Sequence, residues 1–424
     1  MGGDYDEMWR GLGLDLPAHE RLLELLGGYY REVYLSQADR PRAMAYLDAV
    51  MADIHGGRVR ELQAARAEGR KVVGTFCVFV PEELVLAAGA ACVGLCAGAE
   101  VGFAEAERLL PRNTCPLVKS FFGFRLARLC PFMAACDLLV GETTCDGKKK
   151  AYELLADLAP TYVMEVPQAK RSADRALFRE EVRRLAEALE ALTGRRITAE
   201  GLARAVRLVN RRRRALQRLA RLRGADPAPI SGRDALLVNQ VAFYDDPERF
   251  TGAVEALCDE LEARVAAGRG VAPAGTPRLL VAGAPMAVPN WKVPHVVEGA
   301  GAVIVGEESC IGERHTRDLV DEAAADLDAL LDALVDRYLR IDCACFTPND
   351  DRLDHVVEMV RRTRADGVVH FALQFCQPYA IEAARVRDRL DREGIPMLRI
   401  ETDYSMEDVD ALATRIEAFV ETLG

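Results

Sequence analysis

The spacing of apolar residues changes period along the chain, and the changes divide it. Over residues 1–70 apolar positions recur at helical intervals in "ERLLELLGGYYREVYLS" and "RPRAMAYLDAVMADIHGGRVRELQAARAEG", which predicts helices. From Lys71 short β-rich runs take over. "KVVGTFCVFV", "ACVGLCAG", "CDLLVGETTC" and "PTYVMEVP" predict four strands, interleaved with the helices "PEELVLAAGA", which has Pro81 in its first turn, and "GKKKAYELLADLA". From Asp174 to about Gly270 the helical period returns, including the Arg-rich "RLVNRRRRALQRLARLRG", and the stretch "GRGVAPAGTPR" reads as a linker. Alternation then resumes. "RLLVAGAP", "AVIVGEES", "GVVHFALQFC" and "PMLRIETD" predict strands, separated by helices such as "DRLDHVVEMVRRTRAD" and "YAIEAARVRDRLDREG".

Strands alternating with helices mean a parallel sheet covered by helices. The expected fold is α/β, with two Rossmann-like (flavodoxin-like) parallel-sheet domains. The expected boundaries are a helical segment at 1–70, a first α/β domain at 71–173, a helical connector at 174–275 and a second α/β domain at 276–424.

Composition narrows the function classes. The chain has 424 residues, 50% of them hydrophobic, and a formal charge of −11, which argues against a dedicated nucleic-acid binder because polyanions call for a basic field. No charge-free apolar run approaches the ~18 residues of a membrane span, and "MGGDYDEMWR" lacks the basic and apolar regions of a signal peptide. A cytoplasmic protein is expected. The Met1-Gly2-Gly3 start lacks the hydroxyl that acylation requires at the sixth position, where Asp6 stands.

Twelve cysteines change the picture most. In a reducing compartment they read as buried small hydrophobes, catalytic thiols or metal ligands rather than disulfides. No C-x-x-C occurs, which counts against zinc ribbons, thioredoxin-like motifs and ferredoxin-type loops. Cys92, Cys96 and Cys258 lie in apolar surroundings and are expected to be small core residues, as are Cys130 and Cys136. Cys77, Cys145, Cys310 and Cys376 stand instead at the carboxyl ends of predicted strands, among Gly, Glu, Thr, Ser and Gln. Ligands of open α/β sheets bind outside those ends, so two facing domains would bring these thiols into one cleft. Cys115 in "LPRNTCPLVKS", and Cys343 or Cys345 in "IDCACFTPND", sit in Pro-containing connections that could reach the same place. Six thiols are too many for one zinc ion.

"LLVGETTCDGKKK" is not a phosphate loop. Its first glycine, Gly141, stands one residue too early relative to Gly147, and Lys149 replaces the Ser/Thr that would hold magnesium. "GAGAVIVG" is no dinucleotide fingerprint, since its glycines precede a strand.

The motifs "GTFCVFVPEELVLAAGA", "LPRNTCPLVKS", "GETTCDGKKKAYELL", "GEESCIGER", "LQFCQPYAIEAARV" and "GIPMLRIETDYS" resemble, in that order, those of the 2-hydroxyacyl-CoA dehydratase and benzoyl-CoA reductase family of iron-sulfur proteins. The resemblance runs from about Lys71 to the C-terminus and is closest to the double-cubane cluster proteins. It implies an interdomain 8Fe-9S double-cubane cluster, two cubanes joined by a sulfide, on Cys77, Cys115, Cys145, Cys310, Cys345 and Cys376. Cys77, Cys115 and Cys376 match positions shared with the dehydratases. Cys145, Cys310 and Cys345 would serve the second cubane, with Cys343 the alternative to Cys345 and the partition between cubanes open.

The resemblance further implies an oxidoreductase, an iron-sulfur reductase acting on a small unidentified substrate. Electrons would come from a separate ATP-hydrolysing iron-sulfur activator, docking transiently, and the chain would form a homodimer. The alternatives are a 2-hydroxyacyl-CoA dehydratase subunit with one 4Fe-4S cluster, a lyase in which an electron makes a ketyl radical and water leaves, or an electron-storage or maturation protein. Near the ligands in sequence, Lys148, Lys149, Lys292, Arg314 and His315 either tune cluster charge or are ordinary surface and helix-end charges. Glu142, Glu307 and Glu308 either relay protons or make structural hydrogen bonds. The arginines between Arg204 and Arg223 read as a solvated helical face rather than a docking surface.

Overall fold

The computed structural model describes residues 5–324 and 326–423, so the Met1–Gly3 start lies outside the described residues. The strands fall where the sequence places them: β1 (Val72–Thr75), β2 (Ala91–Gly94), β3 (Leu138–Glu142), β4 (Thr161–Met164), β5 (Arg278–Gly283), β6 (Val303–Glu308), β7 (Gly367–Leu373) and β8 (Met397–Thr402). They make two four-stranded parallel sheets, ordered β2-β1-β3-β4 and β6-β5-β7-β8. The orders are equivalent, so each sheet reverses direction once, between β1 and β3 and between β5 and β7. A doubly wound sheet opens a crevice at that reversal, outside the carboxyl ends of the strands.

Strand residues one apart face opposite cores, as the pleat requires. Leu279 and Val281 of β5 join Val293, Val297, Leu412 and Ile416 on one side. Leu280 and Ala282 pack on the other against Leu353, Val356, Val386 and Leu390. The first of these cores is continuous with residues of the first sheet, including Val72 and Leu139, and with the N-terminal helices Leu16–Tyr30 and Met44–Ala52.

Three short helices follow β2: Phe103–Ala106, Pro116–Leu126 and Pro131–Ala135. Sequence periodicity misses the middle one because every residue from Pro116 to Phe124 is buried, leaving no polar face to mark a period. Its signal is local: proline directly after Cys115, at the first helical position.

The Arg-rich helix Ala199–Leu222 corrects the expectation of a solvated face. Arg212 and Arg213 are buried and bind Glu82 and Glu83 on the helix Glu82–Ala87 beside the first sheet, Arg213 Nη1 donating to Glu83 at 2.6 Å. Arg223, just past the helix end, is buried against Glu307 of β6 at 2.5 and 2.7 Å. Arg211 and Arg218 do face solvent, paired with Glu255 and with Asp259 and Glu262. One helix thus straps the two sheets together through charge pairs. Among the described residues, no helix is long and apolar enough to cross a membrane.

Candidate functional site

The carboxyl ends of the strands deliver cysteines into one cavity. Cys77 follows β1 by two residues, Cys145 follows β3 by three, Cys310 follows β6 by two and Cys376 follows β7 by three. All four line the same cavity between the sheets, together with Cys115, Cys343 and Cys345. The remaining wall is largely apolar, from Phe76, Leu117, Phe243, Ile311 and Leu373 among others. The cavity holds about 100 Å3. One water needs about 10–15 Å3 on the same measure, so there is room for a polyatomic group. Among the described residues, no three Cys, His, Asp or Glu side chains close on a point suited to a single ion.

Six of the seven thiols shift one another's acidity in three pairs: Cys77 with Cys310, Cys115 with Cys376, and Cys343 with Cys345. The first two pairs each join one thiol from the first sheet's segment to one from the second. The pairing splits each pair's acidity. Cys310 is pulled down to about 6, first by Cys77 and then by Arg314 against the opposing effect of burial, while Cys77 is pushed well up. Cys115 is lowered by Cys376 and by the amides of Leu117 and Val118, and Cys343 by Cys345. Cys376 and Cys345 are raised. Each pair therefore carries one favoured thiolate, the form that ligates metal.

Three of the cavity cysteines stand at helix N-termini, although burial raises the Cys145 thiol. Cys115, Cys145 and Cys376 occupy the cap positions of the helices Pro116–Leu126, Asp146–Leu155 and Gln377–Arg392. The partial positive charge of a helix start favours an anion there. Cys145 accepts a bond from the Lys148 backbone at 3.4 Å. Phe375, immediately before Cys376, adopts φ +61°, which a bulky side chain rarely tolerates. The strain turns the chain from β7 into the ligand-bearing helix.

The charged residues divide sharply. Arg314 Nη1 donates to Cys310 Sγ at 3.3 Å and to Tyr379, and it is buried against Glu308. Lys148 is buried at the cavity and bound to Glu142. These two cations reach the thiols. Lys292 does not: it is buried elsewhere, bonded to Thr402 at 2.6 Å and Asp408 at 2.7 Å, where it pins the segment after β8. Lys149 is exposed beside Asp146. His315 is no cation at neutral pH, because burial and the neighbouring Arg212, Arg337 and Arg213 hold its ring well below the usual range.

All three glutamates are buried in ion pairs. Glu142 serves Lys148, and Glu307 serves Arg223. Glu308 is clamped between Arg314 at 2.8 Å and Arg352 at 3.0 Å; burial alone would raise its carboxyl, but the two guanidinium groups hold it low.

Among the cysteines expected in the core, Cys258 is fully buried, and Cys130 and Cys136 pack against the core. Cys96 departs from expectation, for it faces the thiol cavity. Its sulfur donates to the Phe76 carbonyl at 2.8 Å, and burial raises its thiol to about 12, so it stays protonated beside the other seven.

The donor set is entirely sulfur, three of its cysteines stand at helix starts, and thiolate ligands of this kind suit iron-sulfur clusters. The residues present fit such a group.

Comparison with known proteins agrees with this chemistry. The family "2-hydroxyglutaryl-CoA dehydratase, D-component" matches residues 77–423. YjiM of Escherichia coli (strain K12), named as a candidate dehydratase subunit, is 40% identical over 84% of this chain and 93% of its own length. The (R)-phenyllactyl-CoA dehydratase beta subunit of Clostridium sporogenes is 27% identical over 84% of this chain and 92% of its own. A benzoyl-CoA reductase subunit of Thauera aromatica is 24% identical over 84% of this chain and 91% of its own.

Proposed function

The chain belongs to the 2-hydroxyglutaryl-CoA dehydratase D-component family, within the 2-hydroxyacyl-CoA dehydratase and benzoyl-CoA reductase group, and on that premise we propose that it is an iron-sulfur reductase with a double-cubane 8Fe-9S cluster. Its ligands would be Cys77, Cys115, Cys145, Cys310, Cys345 and Cys376, contributed by units at 71–173 and 276–424. One observation carries the reading: thiols from both sheets face a single cavity, and two of their pairs, Cys77 with Cys310 and Cys115 with Cys376, span the two sheets. A single four-iron cluster needs no more than four thiolates. Cys343 faces the cavity as well and is the alternative to Cys345.

When bound, such a cluster supplies low-potential electrons. The protein's own contribution is to line the site with an apolar wall, to place three of the cysteines at helix starts, and to offset negative charge with Arg314 and Lys148. A separate ATP-hydrolysing activator would deliver electrons to a homodimer of this chain, and a small molecule would accept them.

The second reading is a dehydratase subunit, the activity that two of the relatives are named for, and in that reading the chain would hold a single 4Fe-4S cluster. Iron and sulfide content decides. Protein made and kept without oxygen should hold about eight irons per chain; about four would favour the second reading, and zinc or no metal would sink both. Cys145→Ala and Cys310→Ala should each lower iron content and alter the low-temperature magnetic resonance spectrum, whereas Cys92→Ala should not. Equal iron in all three variants would overturn the ligand set.

A further inference from the structure

A second, smaller cavity lies against the thiol cavity and shares Thr75, Cys77, Val78, Gly94 and Phe243 with it. Its volume is about 50 Å3, room for a few atoms at about 10–15 Å3 per water. Its polar wall carries Arg212, Arg213, Arg337 and His315 against two carboxylates, Glu82 and Asp245.

Most charge there is already matched. Arg212 is bound to Glu82 and Arg213 to Glu83, while Asp245, the other carboxylate on the wall, is bound by Arg249 at 2.6 Å and by Tyr46. Arg337 is the exception. It is 2% exposed, and its hydrogen bonds go to backbone carbonyls, those of Asp318 at 3.1 Å and His315. Burial and Arg213 lower it to about 10, so it keeps its charge at neutral pH. His315 is 8% exposed, and neither ring nitrogen has a hydrogen-bond partner; the nearby Cys310 backbone closes no bond of ordinary geometry. Arg337 lies over the Tyr338 ring at 4.5 Å and feels Glu83 and Asp318 at longer range, but no carboxylate hydrogen-bonds it, and beside it a buried imidazole without a partner is costly unless something answers it.

We infer that this pocket binds a small monoanion with in-plane acceptor atoms, of the formate, nitrate or bicarbonate class, held between Arg337 and His315 on the Cys77 side of the thiol cavity. The charge offsets Arg337, and the acceptor atoms take the guanidinium hydrogens and the imidazole N–H. The site goes beyond the proposed cluster and does not depend on its type.

The test is calorimetric titration of the full chain, purified and kept without oxygen, with formate as the anion and formamide as its neutral isostere. Potassium gluconate, too large for the pocket, fixes the ionic strength. Formate should bind saturably and at least tenfold more tightly than formamide, and His315→Phe and Arg337→Met should each weaken it tenfold or more. If Arg337→Met fails to fold, His315→Phe and a bromide-soaked crystal of the unmodified protein decide, with an anomalous peak expected between His315 and Arg337. No saturable formate binding, equal binding of formamide, unchanged affinity in His315→Phe, or bromide found only elsewhere would overturn the inference.

Discussion

At the residue scale the thiol pairs make a pH prediction. In protein freed of metal, Cys310 sits at about 6 against an ordinary 9.0, while its partner Cys77 is raised. A depressed acid stabilises the fold above its unfolded value, and the contribution is lost as pH falls through the folded one. The pair's contribution should therefore shrink from about 9.0 down to about 6, and above 9.0 the proton retained by Cys77 works against the fold. Ultraviolet thiolate absorbance should rise as pH passes through about 6, and Cys310→Ser should remove one thiolate's share of that step. Absorbance arising only near 9.0 would contradict the assignment. Arg314 is the second lever. Arg314→Met leaves Cys310 without its cation and removes one partner of buried Glu308, for a loss of about 3–5 kcal/mol. The melting temperature should fall and the Cys310 titration should move up; an unchanged titration would show that Arg314 does not act on the thiol.

At the element scale, placement rests on strand ends and helix starts. Gly283 ends β5 at φ +127°, and a Cβ there would lie 2.0 Å from the Phe371 carbonyl of β7. The carbonyl of Gly283 also accepts from Arg314 at 3.3 Å, which ties the strand end to the thiol cavity. Gly283→Ala should cost more than about 1 kcal/mol by thermal unfolding and should reduce iron content with it. Full stability would show that the two strand ends can separate. These elements differ in how far sequence reveals them. The eight strands are legible because short β-branched runs end abruptly in polar residues. The helix Pro116–Leu126 is buried all round and shows only through its first-position proline.

At the scale of the whole molecule, the strap helix Ala199–Leu222 and a continuous core bind both sheets into one unit. Glu83, beside the first sheet, takes bonds from Arg213 at 2.6 Å and from Tyr338 at 2.7 Å, the latter on the helix Leu327–Tyr338 between β6 and β7. Glu83→Ala would strand Arg213 in the interior and should cost about 3–5 kcal/mol in chemical denaturation. A loss under about 1 kcal/mol would mean that the strap is ornamental. Because one core reaches from Leu26 to Val420 through both sheets, calorimetry should show a single unfolding transition. Two separated transitions would show that the sheets unfold independently.

Period, strand-end polarity and the order of the cysteine motifs belong to the sequence itself, because each is a local property of a few consecutive residues. They determine two parallel sheets and the set of thiols that could meet. Tertiary structure alone decides which sulfurs pair, that Cys96 joins them without freeing its proton, and that Arg314 and Lys148 reach the cavity while Lys292 does not. It alone turns Arg212, Arg213 and Arg223 inward and leaves His315 and Arg337 facing a pocket without a carboxylate of their own. Several of those outcomes depend on contacts between residues far apart in sequence, such as Arg213 with Glu83. Burial then sets the strength and sign of each charge, and no local pattern encodes burial of that kind.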